Sequence, residues 1–260
     1  MKSNPVTISR LMLGLTLFAG WLAVSSAMAP ACAEDAPANC EVPAYLLTSE
    51  SPLSRVEAAI VGERKLEVLV VGSRSSTINA SETNAYPGRL QAMLKEALPK
   101  VAVNVSVELQ VKKTAEEVAG GLVKLVELKK PTLVIWQTGT YDAIRSIDPD
   151  DFRAGVDEGV VALQNAGVDV VLMNLQYSPR TETMISAPPY LDNMRVVAQE
   201  HNVPLFDRFA IMRHWSDAGD FDLTSTSHGV DLARRVHDCI GRALSKFVID
   251  AAHVNPAQLN

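Results

Sequence analysis

The chain has 260 residues, 47% of them hydrophobic and 21% charged, and 24 Lys and Arg against 30 Asp and Glu give a formal charge of −6. That balance excludes a polyanion-binding or disordered chain, since the first needs a basic face and the second lacks this apolar content. With no Pro/Ser-rich linker, internal repeat or low-complexity tract inside it, the chain is read as one domain with a sizeable core.

In chain order the first element is a leader. Lys2 and Arg10 precede an apolar stretch from Leu11 to Val24, and small residues follow through Ala27-Met28-Ala29 and Ala31-Cys32-Ala33, the pattern of a secretory signal peptide. The apolar run falls short of the ~20 residues of a spanning helix, so no stable membrane insertion is expected after cleavage. Cleavage after Ala33, with Ala29 the rival position, gives a periplasmic or secreted protein with 22 basic and 30 acidic residues, a formal charge of −8. The predicted organisation is a signal peptide over 1–33, an arm with a helix over 34–63, one domain over 64–250 and a tail over 251–260. Cys40 and Cys239 survive cleavage. In an oxidising compartment they are a disulfide candidate, with two ordinary buried thiols as the alternative.

Short β-branched, apolar runs then alternate with longer helical patterns. The strands are predicted at Leu66 to Val71, Val101 to Leu109, Thr132 to Trp136, Val168 to Met173 and Val203 to Phe206. Helices are predicted at Pro87 to Leu98, Thr114 to Leu128, Pro149 to Ala166, Pro188 to His201, Arg208 to Trp215 and Val230 to Phe247. Thr114 with Glu117 reads as a capping box, and Pro149-Asp150-Asp151 puts acidic groups in a first turn. Such alternation predicts a parallel five-stranded sheet inside a three-layer α/β/α sandwich.

The chemistry-bearing segment is Val68-Leu69-Val70-Val71-Gly72-Ser73-Arg74-Ser75-Ser76-Thr77, a strand that breaks at a glycine and presents hydroxyls where doubly wound folds bind ligands. His228, downstream in a Ser/Thr-rich loop, is the matching candidate base. His214 with Asp217, Asp220 and Asp222 has no standard metal spacing and reads as a solvated loop, so no metal is assigned. Ala119-Gly120-Gly121 lies inside a helical pattern and makes no nucleotide loop, and no cofactor is expected.

Gly72-Ser73-Arg74-Ser75-Ser76-Thr77, Tyr86-Pro87-Gly88-Arg89-Leu90, Val134 to Asp142 and Ser227-His228-Gly229 together resemble, in order, the blocks of the SGNH (GDSL-like) hydrolases over roughly residues 64 to 247. The resemblance implies a flavodoxin-like sheet and hydrolysis of ester or acyl groups, with a small-molecule or glycan ester as partner. It implies Ser75 as nucleophile, with Ser73 and Ser76 as alternatives, His228 as base and Asp222 as its orienting carboxylate, Asp217 and Asp220 being further candidates. Gly72, Ser73, Arg74, Gly139 and Tyr141 are the implied oxyanion or ligand-binding positions.

The match departs from the family pattern at several points. Arg74 stands where the family places serine, so Ser75 reaches that place only through an inserted residue. After the second strand Val111-Lys112-Lys113-Thr114 lacks the oxyanion glycine, Tyr141 replaces the donor asparagine, and Ser225 stands three before His228 where an aspartate is usual. Losing one such donor costs about 10²- to 10³-fold in rate. The alternative reading is therefore an inactive binding protein in which Arg74, Lys112 and Tyr141 hold a carbohydrate or anionic ligand in the same crevice.

Overall fold

The computed structural model describes residues 40–79, 81, 83–224 and 229–259, all within one compact unit, Pro37–Asn260. The predicted signal peptide lies outside the described residues. The elements run α1 (Ser54–Ala58), β1 (Lys65–Gly72), α2 (Tyr86–Ala97), β2 (Ala102–Leu109), α3 (Ala115–Ala119), α4 (Leu122–Lys129), β3 (Leu133–Gln137), α5 (Thr140–Ile144) and α6 (Pro149–Asn165). They continue with β4 (Asp169–Met173), α7 (Pro179–Met184), α8 (Pro188–Glu200), β5 (Leu205–Phe206), α9 (Arg208–Asp217), α10 (Gly229–Ala251) and α11 (Pro256–Leu259).

All strand pairs are parallel and the order is β2-β1-β3-β4-β5. This is the flavodoxin-like doubly wound order, in which the chain reverses direction across the sheet between β1 and β3. Both faces are covered: α2 packs with α10, and α6 packs with α3, α4 and α8, completing a three-layer α/β/α sandwich. Covered on both sides, the inner strands β1, β3 and β4 are rich in Val, Leu and Ile, whereas the edge strand β2 alternates apolar and polar residues. Every residue of β3 is buried, as are Val68 to Gly72 of β1.

Several helix ends follow from local chemistry. Thr114 and Glu117 form the reciprocal capping box, and the Asp148 carboxylate accepts from the Asp150 N–H at the start of α6. The single helix expected over Thr114 to Leu128 is instead two, parted at Gly120-Gly121, where two consecutive glycines favour a turn over continued helix. β5 pairs over only Leu205 and Phe206, because Pro204 has no N–H to give the ladder while its carbonyl still accepts from Leu172 at 2.9 Å.

The N-terminal segment is fastened at several points. Cys40 is disulfide-bonded to Cys239 of α10 with Cα atoms 5.1 Å apart, and the Trp215 indole donates to the Glu41 carbonyl at 2.8 Å. The Asp169 carboxylate at the start of β4 accepts from the Arg55 and Val56 N–H groups of α1 at 2.9 and 3.0 Å. A cross-link spanning 199 positions restricts the unfolded chain strongly, an effect worth typically about 2–4 kcal/mol.

Candidate functional site

Val71 pairs with Trp136, so the carboxyl ends of β1 and β3 lie side by side at the reversal point and bring Gly72-Ser73 next to Gln137. After β1 the chain makes a 3₁₀ turn over Arg74–Ser76, closed by the Ser76 N–H on the Ser73 carbonyl at 2.9 Å. The turn needs a glycine before it. A Cβ on Gly72 would fall 2.1 Å from the Ser76 hydroxyl, which could not then keep its buried position.

Each serine of the cluster has a different setting. Ser76 is buried, and its hydroxyl and that of Tyr86 donate to Gln137 Oε1 at 2.9 and 3.0 Å. With Oε1 receiving two hydroxyls, the Gln137 amide turns its Nε2 outward, donating to Ser75 Oγ at 2.7 Å and to Ser73 Oγ at 3.1 Å. Ser75 Oγ also accepts from Arg208 Nη1 at 3.3 Å and lies 3.2 Å from Ser73 Oγ. Ser75 is half-buried, and two N–H donors converge on its oxygen.

Sequence reasoning missed both donors. Gln137 had a visible signal as the polar last residue of the buried strand Leu133-Val134-Ile135-Trp136-Gln137. It supplies a side-chain amide near the place where the resemblance had lost its asparagine, although from the strand end and not from position 141. Arg208 opens α9 and is 1% exposed. Its guanidinium also lies over the Tyr86 ring, 5.6 Å from the centroid, and burial lowers its pKa to about 10, with Tyr86 opposing the shift. At neutral pH it is a buried cation.

Gly72, Ser73, Gly139 and Tyr141 line one small cleft together with Gln137 and Lys113. Gly139 has φ +93° at the start of α5, and a Cβ there would meet Leu175 Cδ1 at 2.6 Å. Tyr141 is half-buried and carries the Arg145 guanidinium over its ring at 5.8 Å. Asp142 beside it is 1% exposed and accepts from the Ala115 N–H at 2.8 Å, and burial pushes its carboxyl above the usual range. Arg74 and Lys112 are exposed, so the buried cation of the crevice is Arg208. Asp222 is exposed, and its Oδ1 accepts from the backbone N–H and hydroxyl of Thr224. His228 and Ser225 lie outside the described residues, while Gly229, next to His228 in sequence, lines a cavity of about 190 Å³ that Arg208 also lines.

Another histidine shares that cavity. His237 Nδ1 accepts the Tyr86 N–H at 2.9 Å, which fixes the hydrogen of the neutral ring on Nε2. Burial, and then the Arg208 charge, lower its pKa to about 3. Such a ring takes no proton from a serine at neutral pH, and its Nδ1 lone pair is already occupied. Among the described residues no group of three or more His, Cys, Asp or Glu is placed to hold a metal ion, and no helix is long and apolar enough to cross a membrane.

The sequence profile of the non-GDSL lipase-like family matches residues 39–254. The chain belongs to the non-GDSL lipase-like family. Among solved structures, this family member is similar to TesA, with 18% identity and a TM-score of 0.54 over 69% of its own length and 98% of TesA. A G-D-S-L family lipolytic protein from Desulfitobacterium hafniense DCB-2 aligns at 17% identity and TM-score 0.53, over 71% of this chain and 99% of that one. A catalytic mutant of the acetylxylan esterase Axe2 from Geobacillus stearothermophilus aligns at 15% identity and TM-score 0.57, over 70% and 94% of the two chains. These likenesses establish the SGNH-like hydrolase fold for this non-GDSL lipase-like protein. No curated protein sequence is significantly similar to it.

Proposed function

We propose that this protein is an exported serine ester hydrolase acting on small acyl esters, with Ser75 as nucleophile and His228 as base. The observation that carries the reading is the convergence of Gln137 Nε2 and Arg208 Nη1 on Ser75 Oγ at the reversal point of the sheet. In the reaction Ser75 Oγ bonds to the ester carbonyl carbon as its proton passes to His228. The carbonyl oxygen takes the negative charge, and the Gln137 amide is the donor nearest to receive it. Collapse breaks the ester bond, and the departing alkoxide takes the proton from His228. Water, deprotonated in turn by His228, then releases the acyl group from Ser75. Asp222 is the carboxylate proposed to orient His228, within a Ser/Thr-rich segment.

Several observations support the finer parts. The cavity of about 190 Å³ beside Arg208, whose Nη1 reaches Ser75 Oγ, is below the usual size of a drug-scale pocket, which favours a short acyl group. The neighbour Axe2 is an acetylxylan esterase, which supports an acylated glycan as substrate. The signal-like segment 1–33 and the Cys40–Cys239 disulfide both suit an oxidising periplasmic or extracellular location.

The test is turnover of p-nitrophenyl acetate by the purified mature protein beside His228→Ala. Saturable hydrolysis that drops to the solution background in the variant, with the fold retained by circular dichroism, is the expected result. Equal rates in the two proteins would remove His228 from the mechanism.

A further inference from the structure

The Arg208 guanidinium is fully buried, yet among the described residues no carboxylate pairs with it. The nearest acid in sequence, Asp207, is engaged elsewhere: Oδ1 accepts from the Asn174 amide at 2.7 Å and the Ala210 N–H at 3.0 Å, and Oδ2 from Arg195 at 3.2 Å. Arg208 has instead two long neutral contacts, Nη1 to Ser75 Oγ and Nη2 to Gln176 Oε1, both at 3.3 Å, and its Nε has no partner. A buried cation is costly unless paired and fully hydrogen-bonded, and five N–H groups in a planar fork suit an oxoanion best.

The cavity beside it has the matching chemistry. Arg208 lines it with Gln176, Ser178 and His237 as polar groups and Met212 and Leu232 as apolar walls, and no acidic residue is among its described lining. His237, whose Nδ1 accepts the Tyr86 N–H, carries its hydrogen on Nε2 and so adds a neutral N–H donor to the same lining.

We propose that Arg208 is the anchor of an oxoanion subsite, so that the preferred ester carries a carboxylate or phosphate within a few bonds of the carbonyl that Ser75 attacks. The ester part of this proposal rests on the hydrolase reading above, whereas the anion subsite stands on Arg208 and its cavity alone. On binding, the oxoanion takes the Nε–H that has no partner and the Nη2–H now given to Gln176, while Nη1 keeps its contact with Ser75 Oγ.

The experiment is calorimetric titration of the mature wild-type protein and of Arg208→Met with succinate, inorganic phosphate and neutral succinamide at constant ionic strength. Expected is saturable binding of at least one anion by the wild type, no binding of succinamide, and affinity at least about ten-fold weaker in Arg208→Met, as for loss of a charge-assisted hydrogen bond. Binding of succinate alone, or of phosphate alone, assigns the anion as carboxylate or phosphate. No anion binding by the wild type, equal binding of succinamide, or unchanged affinity in a folded Arg208→Met overturns the proposal. Should Arg208→Met fail to fold, the wild-type comparison of succinate with succinamide decides by itself. Hydrolysis of p-nitrophenyl hemisuccinate over p-nitrophenyl butyrate then tests the ester: anion binding without turnover of either would sink the hydrolase reading and leave the subsite intact.

Discussion

Replacing Ser75 with alanine is expected to lower kcat/KM for a simple acyl ester by about 10³-fold or more, since removing a nucleophile leaves only the binding and electrostatic part of catalysis. The same change in Ser76 has a different expected consequence. Its hydroxyl is buried and spent on Gln137 Oε1, so Ser76→Ala costs on the order of 1 kcal/mol of stability while leaving the Gln137–Ser75 contact in place. Ser73→Ala tests the remaining alternative: its hydroxyl accepts from the same amide at 3.1 Å, whereas the Arg208 guanidinium donates to Ser75. Initial rates of ester hydrolysis and thermal midpoints for the three variants separate the roles. Loss of activity in Ser73→Ala with Ser75→Ala unaffected would move the nucleophile by two residues.

Gln137→Glu is the second large effect. The substitution keeps the Oε1 acceptor that holds the Ser76 and Tyr86 hydroxyls, so the fold around the turn is retained, but it replaces the Nε2 donor with a carboxylate oxygen. The donor that would follow the developing oxyanion is gone, and a negative charge stands beside the serine instead. A fall in kcat of about 10²- to 10³-fold, with a thermal midpoint close to wild type, is expected from steady-state kinetics and calorimetry. An activity within a few-fold of wild type would show that oxyanion stabilisation comes from elsewhere.

The sheet was legible because its inner strands are covered on both faces and carry almost unbroken apolar runs, as in Val68 to Val71 and Leu133 to Trp136, while the edge strand β2 shows period-two alternation. Helix starts were legible at Thr114 and before Pro149, where a side chain does the capping, but not at α7, although the Ser178 hydroxyl caps it. Less visible were single residues that interrupt an otherwise regular pattern: the glycine pair that parts α3 from α4, and Pro204, which shortens β5. The site was only partly legible. The serine turn is local and announces itself by Gly72, but its partners arrive from β3, α2 and α9.

Gln137 could have been found as a polar residue closing a buried strand at the point where the sheet order reverses. Arg208 directly follows Asp207 at the end of a short strand, and nothing local says that its charge is buried while Asp207 bonds Asn174 and Arg195. His237 sits on the buried stripe of α10 with Val236, Ile240 and Leu244, a position more often apolar, and its role in holding the Tyr86 N–H depends on α2 packing there. Arg74 is exposed, and the charge reaching the serine comes from residue 208.

Treating the mature protein with a fluorophosphonate and mapping the adduct by peptide mass spectrometry tests whether Ser75 is a nucleophile served by His228. A single phosphonylated residue, Ser75, is expected in the wild type and no adduct in His228→Ala. A folded wild-type protein that takes no label, or one labelled at a serine outside the 73–76 turn, would contradict it.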